Sequence, residues 1–173
     1  MSRSGNDTFH GADAHAFIIE SLYQLADERH AVFNGTLYQL EPDVKDAPGA
    51  LRDVAATRMI AQLTDPALLR KGPTEPARFD DAEDFLLRLR SALHAATSRN
   101  QNGLGHEWQE QIADLMGYPG IEPRQRVGRL MSDYFRHARV VNRAFGWARR
   151  TAPRPVGPNL GLSRDGIGFL DPV

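Results

Sequence analysis

Residues 123–150 read PRQRVGRLMSDYFRHARVVNRAFGWARR, and the architecture follows from this stretch. Val127, Met131, Tyr134, Ala138, Val141, Phe145 and Ala148 alternate spacings of four and three. That is a heptad seam on one long helix, and such a helix packs lengthwise against others. Arg129, Arg136, Arg143 and Arg150 recur every seventh residue beside the seam, joined by Arg124, Arg126, Arg139 and Arg149. Asp133 is the only acid from 124 to 150.

Moving outward, the chain offers further helices to cover that seam. From Asp13 to about Val32, Phe17, Ile18, Leu22, Leu25 and Ala26 share a face, with Asp27, Glu28 and Arg29 off it. Asn34-Gly35 stops that helix. A second starts near Ala50, carries Leu51, Val54, Ala55, Met59, Ile60 and Leu63 inward, and ends around Thr64-Asp65-Pro66. Residues 66–79, with Pro66, Gly72, Pro73 and Pro76, read as the longest irregular connection. Asp80 with Glu83 makes a capping-box-like start for a third helix, whose buried stripe is Phe85, Leu86, Leu89, Leu93 and Ala96. A fourth runs from His106 to Met116 with Trp108, Ile112, Leu115 and Met116 inward, and Gly117 stops it.

The expected fold is therefore all-α, a bundle of about five helices with one short strand or loop near residues 36–41. Thr36-Leu37-Tyr38-Gln39-Leu40 reads as that strand. Residues 1–12 are small and polar and read as a disordered N-terminus. Residues 13–150 form the helical domain, and 151–173 a Pro/Gly-rich linker tail in which 166–170 suits a short edge strand.

Composition narrows the chemistry. The 173 residues are 41% hydrophobic and 25% charged, ordinary for a globular protein, with a formal net charge of -1. That balance gives no reason to expect nucleic acid or membrane binding. There is no cysteine, hence no disulfide, thiolate metal site or thiol nucleophile. No apolar run approaches the roughly 20 residues of a membrane span, and the first residues lack a signal peptide's apolar core, so a cytoplasmic location is the default. The six histidines form no His-x3-His pair and no adjacent His-Asp pair, so a metal site within this chain is not expected. Gly-x-Ser-x-Gly and phosphate-loop motifs are absent.

Two charged regions remain as candidate sites. Residues 41–53, Glu41-Pro42-Asp43-Val44-Lys45-Asp46-Ala47-Pro48-Gly49-Ala50-Leu51-Arg52-Asp53, form a loop stiffened by Pro42 and Pro48 that runs into the second helix. Glu41, Asp43, Lys45, Arg52 and Asp53 suit a phosphate-bearing ligand, or else a surface loop with internal salt bridges. The second region is the long helix's basic face, Arg129, Arg136, Arg139 and Arg143. It suits phosphates or an acidic protein partner; the simpler alternative pairs it with Asp80, Asp81, Glu83 and Asp84. No aromatic interleaving supports single-strand nucleic acid.

The wording of the first region carries a resemblance. Glu41, Pro42, Asp43, Lys45, Gly49, Leu51, Arg52 and Asp53 resemble a segment of the bacterial bifunctional PII uridylyltransferase/uridylyl-removing enzymes, with Ala50 where that family has a second glycine. Arg90, Leu93, His94, Arg99, Asn102 and Leu104 extend the likeness, Asn102 standing where Asp is usual. Gln109, Ile112, Ala113, Gly117 and Tyr118, then Met131 and residues 134–139, continue it, so it covers roughly 17–150. The resemblance implies a helical domain that follows a nucleotidyltransferase core and precedes a His-Asp hydrolase half. It implies UTP and Mg2+ for the parent enzyme, and the transferase core and PII signal protein of nitrogen regulation as partners. The paired catalytic aspartates and the His-Asp motif are not in this chain, which reads as a fragment or a stand-alone remnant. No catalytic set is complete; Glu41 is the candidate third carboxylate, with Lys45 and Arg52 on triphosphate oxygens and Asp53 orienting Arg52. The rival reading is a non-enzymatic module that grips an acidic partner through the arginine face.

Overall fold

A computed structural model of the chain describes residues 6–152, 160–163 and 166–169, and the side chains of 14–152. Six helices follow one another: α1 Asn6–Val32, α2 Leu51–Leu63, α3 Leu68–Lys71, α4 Pro76–Thr97, α5 His106–Leu115 and α6 Pro123–Thr151. β1 Leu160–Ser163 and β2 Gly166–Phe169 then pair as an antiparallel hairpin. The expected all-α bundle stands. The extra helix is α3, a single turn inside the stretch expected to be irregular.

The long helix is the axis. α2, α4 and α5 all pack on α6, which buries Leu130, Tyr134, Ala138, Val141, Ala144, Phe145 and Ala148. One core cluster joins Phe85, Leu86, Leu89 and Leu93 of α4 and Ile112 of α5 to Tyr134, Ala138 and Val141. A second joins Ile19, Tyr23 and Ala26 of α1 and Ile60 of α2 to Phe145 and Ala148 at the far end of α6. Burying such side chains stabilises by about 1.5–3 kcal/mol each, so the seam holds the bundle together.

Local differences have physical causes. α1 begins at Asn6, upstream of Asp13, and so takes in residues expected to be disordered. Its inward face is Ile19, Tyr23 and Ala26, leaving Ile18 and Leu25 exposed. α2 is rotated likewise: Asp53, Val54, Ala56, Thr57, Ile60 and Ala61 are buried and Met59 is exposed. In α5, Gln109 and Ala113 go inward beside Ile112, and Leu115 is exposed. Residues 36–41 form no strand; the nearest pairing is an isolated antiparallel bridge between Asp43 and Gly103.

The start of α4 is corrected too. Glu75 is its N-cap and Pro76 its first residue, so Asp80 lies inside the helix. A proline at that position gives up no hydrogen bond and is preset in φ. Asp80 and Glu83 instead hold Arg58 of α2: Arg58 Nε donates to Glu83 Oε2 at 2.8 Å and Nη2 to Asp80 Oδ1 at 2.8 Å.

Candidate functional site

The loop of residues 41–53 is fastened to the bundle mainly through its backbone. Val44 N–H donates to Asn102 O at 2.8 Å, and Leu104 N–H to Pro42 O at 2.9 Å. Asn102 is itself held by Arg90, whose Nε donates to Asn102 Oδ1 at 2.9 Å. Gln109, buried in α5, bridges Leu40 O at 2.9 Å and Leu104 O at 3.1 Å. Asp43 Oδ1 accepts the N–H groups of Lys45 and Asp46 at 2.8 and 2.7 Å, closing a turn on itself. Gly49, at φ +78°, lies so close to α6 that an added Cβ would sit 2.3 Å from Ala138 O. Ala50 has φ -93° and ψ -171°, extended backbone open to any residue, so a Cβ there strains nothing in the backbone.

Asp53 is the anchor. Its side chain is fully buried; Gly49 N–H donates to Oδ2 at 2.7 Å, and His30 Nε2 lies 3.0 Å from each oxygen. Arg29 Nη2 pairs with Oδ1, while Arg29 Nε donates to Asp46 O at 3.1 Å. These partners thus come from the last turn of α1, and neither is expected from sequence. Asp53 does not orient Arg52, which is 53% exposed and pairs with Asp46 at 2.9 Å. Lys45 is half-buried, and its side chain makes no hydrogen bond or ion pair among the described residues. Tyr134 underlies this arrangement with its hydroxyl buried and unpartnered. Burial, and then the charges of Asp43 and Asp53, push that phenol well above its usual range, so it stays neutral.

Glu41 faces outward. Its Oε1 accepts the His106 N–H at 2.8 Å, capping the start of α5, where Gly105 supplies no side chain for that purpose. It lies on the wall of a cavity of about 850 Å³ with Tyr38, Leu40, His106, Met131 and Phe135. Asp43, Lys45, Arg52 and Asp53 do not line this cavity. The loop therefore presents Glu41 into a mostly apolar hollow and uses Asp43 and Asp53 for its own shape. Among the described residues no group of three or more His, Asp or Glu is placed to hold a metal. Glu41 is a single carboxylate there, so a resident Mg2+ does not fit this chain's own donor set.

The second candidate region is arranged differently from expectation. Asp80 and Glu83 are taken by Arg58, and Asp84 pairs with Arg88 at 3.1 Å, so those acids do not neutralise the arginines of α6. Arg136, Arg139 and Arg143 instead line a groove with Thr74, Glu75 and Arg78 from the entry to α4. Arg129 is exposed and outside that groove. Arg149 is engaged elsewhere, by Asp27 of α1 at 2.5 and 2.6 Å.

Comparison with known proteins covers both candidate regions. A family model described as GlnD PII-uridylyltransferase matches residues 18–148. A bifunctional uridylyltransferase/uridylyl-removing enzyme of Psychrobacter sp. is 38% identical over 130 residues, covering 68% of this chain and 14% of the relative. The enzyme of the same name from Thiobacillus denitrificans is 36% identical over 126 residues, covering 67% of this chain and 15% of the relative. One from Pseudomonas aeruginosa is 38% identical over 122 residues, covering 66% and 14%. The chain thus spans only about a seventh of the length of the curated relatives it matches. No solved structure matches. No helix among the described residues is long and apolar enough to cross a membrane.

Proposed function

The chain belongs to the PII-uridylyltransferase family, and from that premise we propose that it is the helical, substrate-contacting segment of an enzyme that transfers UMP from UTP to a PII signal protein in nitrogen regulation. It is incomplete by itself. Nucleotidyl transfer needs metal-bound carboxylates that position a phosphate for in-line attack, and the paired aspartates for this lie outside the chain. The transferase core would rest against the loop of residues 41–53, and the chemistry supplied by Mg2+ would sit on that side.

What supports this reading is the position of Glu41. The loop around it is fixed by backbone hydrogen bonds to residues 102 and 104, yet its own carboxylate faces a cavity of about 850 Å³. A loop held this firmly offers a charged group at low ordering cost, which is what a positioned third carboxylate requires. Lys45, with no partner of its own, is the better phosphate contact, because Arg52 is already paired with Asp46. Asp43 and Asp53 then serve as positioning residues, Asp53 fully buried among its partners and Asp43 Oδ1 holding the loop's own turn.

The test is to graft this segment into a full-length uridylyltransferase and compare it with its Glu41→Gln variant. Glutamine keeps an oxygen that can accept the His106 N–H, so the melting temperature should stay within a few degrees. Uridylyl transfer should fall at least about tenfold in kcat/KM. Transfer at the unsubstituted rate would end the proposal for Glu41.

A further inference from the structure

The groove between the entry to α4 and the middle of α6 is a concentration of positive charge with little to balance it. Arg136, Arg139 and Arg143 stand on one wall, and Arg78 on the other. Arg139 and Arg143 have no side-chain hydrogen bond or ion pair among the described residues. Arg136 has only its helix neighbour Asp133, at 3.0 Å, and Arg78 only Glu75, at a loose 3.6 Å; Arg136, Arg78 and Glu75 are exposed and Asp133 half-buried. Such pairs hold their partners weakly, so four guanidiniums are available against one carboxylate on the wall. Like charges spaced three and four apart on a helix repel, and a helix without a bound anion gains nothing from that arrangement.

Two further observations point to a ligand. Thr74 is 8% exposed and lines the groove, yet its hydroxyl makes no hydrogen bond among the described residues. The start of α4 also opens here, with Pro76 as first residue and no side-chain cap from Glu75, adding the positive end of a 22-residue helix. The hollow is about 480 Å³, within the range of small-molecule sites.

We propose that this groove binds a small polyphosphate anion, with Arg78, Arg139 and Arg143 as the principal contacts and Thr74 as a neutral donor. Guanidinium forks on facing walls suit the several equivalent oxygens of linked phosphates. A hollow of about 480 Å³ with guanidiniums on both walls fits a compact anion better than a strand of acidic peptide. The groove shares no lining residue with the Glu41 cavity, so the proposal stands or falls separately from the role given to Glu41.

The experiment is calorimetric titration of the full chain with inorganic pyrophosphate and, in parallel, with uridine diphosphate. Saturable one-to-one binding is expected with pyrophosphate, weakening as ionic strength rises. Arg139→Gln and Arg143→Gln should each weaken it at least about tenfold, and Thr74→Val by a smaller factor, with helicity unchanged by circular dichroism. Equal affinity for the two ligands would make the free anion sufficient, and tighter uridine diphosphate would make a nucleotide its source; either supports the site. Absence of saturable binding overturns the proposal, as does binding that survives the double arginine substitution. Binding of polyglutamate that pyrophosphate cannot displace would also overturn it, in favour of an acidic polypeptide.

Discussion

Asp53 and Arg143 are both charged side chains on helices of the bundle, yet one is fully buried and the other exposed. Asp53 is surrounded by Arg29, His30 and the Gly49 amide, so its charge is matched on every side that water has left. Arg143 and its neighbours on α6 are matched by almost nothing. The contrast separates two uses of charge in one small domain. The acids of the 41–53 loop set a shape, whereas Arg139 and Arg143 at the middle of α6 contribute little to the fold and remain available to a ligand.

The sharpest way to break that contrast is to remove the buried acid. Asp53→Ala leaves Arg29 and His30 facing an apolar void and frees the Gly49 amide. Breaking a buried pair from one side costs about 3–5 kcal/mol, because the remaining charge is left uncompensated. Urea denaturation followed by circular dichroism should show a loss of that size. A loss below about 1 kcal/mol would mean that the loop is held by its backbone contacts alone.

Gly49 asks the same question of the backbone. Gly49→Ala would place a Cβ 2.3 Å from Ala138 O, at a φ of +78° that side chains resist. The loop would have to lift from α6, at a cost of about 1–3 kcal/mol. Gly117→Ala is the useful control, since at φ +73° an added Cβ would meet nothing within 4 Å. Equal losses at the two positions would show that positive φ, and not the approach of loop to helix, governs the effect.

These two residues also show where sequence reading succeeds and where it stops. The seam of α6 is legible because one helix carries the whole period: Tyr134, Ala138, Val141, Phe145 and Ala148 are buried as the spacing predicts. The stops at Asn34-Gly35 and Gly117 are legible because positive φ has a local signature. Asp53 is not, since an acid in a helix's first turn normally faces water and its partners lie on a different helix. The adjacency of Arg29 and His30 at the end of α1 was the only hint, and it is easily read as a favourable interaction with the helix dipole. Pro76 follows Pro73 closely and reads as loop, though a proline is also a good first helical residue and begins α4 here. Charge and spacing alone allow the arginines of α6 to pair with Asp80 and Glu83; Arg58, on a third helix, reaches those acids instead. Long-range partner choice is set by packing, which no single-helix pattern contains.

The smallest expected effect is the most telling for the comparison. If Arg139 and Arg143 are free of structural duty, replacing both with glutamine should change stability by no more than about 0.5 kcal/mol, as for ordinary surface positions. The sign should be neutral or slightly stabilising. The two lie four apart on α6 with Arg136 close by, and relieving like-charge repulsion at that spacing gains a few tenths of a kcal/mol. Added salt should shrink the difference, because screening already relieves the same repulsion in the unsubstituted chain. Pyrophosphate should reverse the order: by binding the folded state it raises the melting temperature of the original chain and leaves that of the double variant where it was. A double variant that melts several degrees lower in buffer alone would mean that these arginines hold the bundle together after all, and the distinction between shape-setting acids and idle cations would collapse.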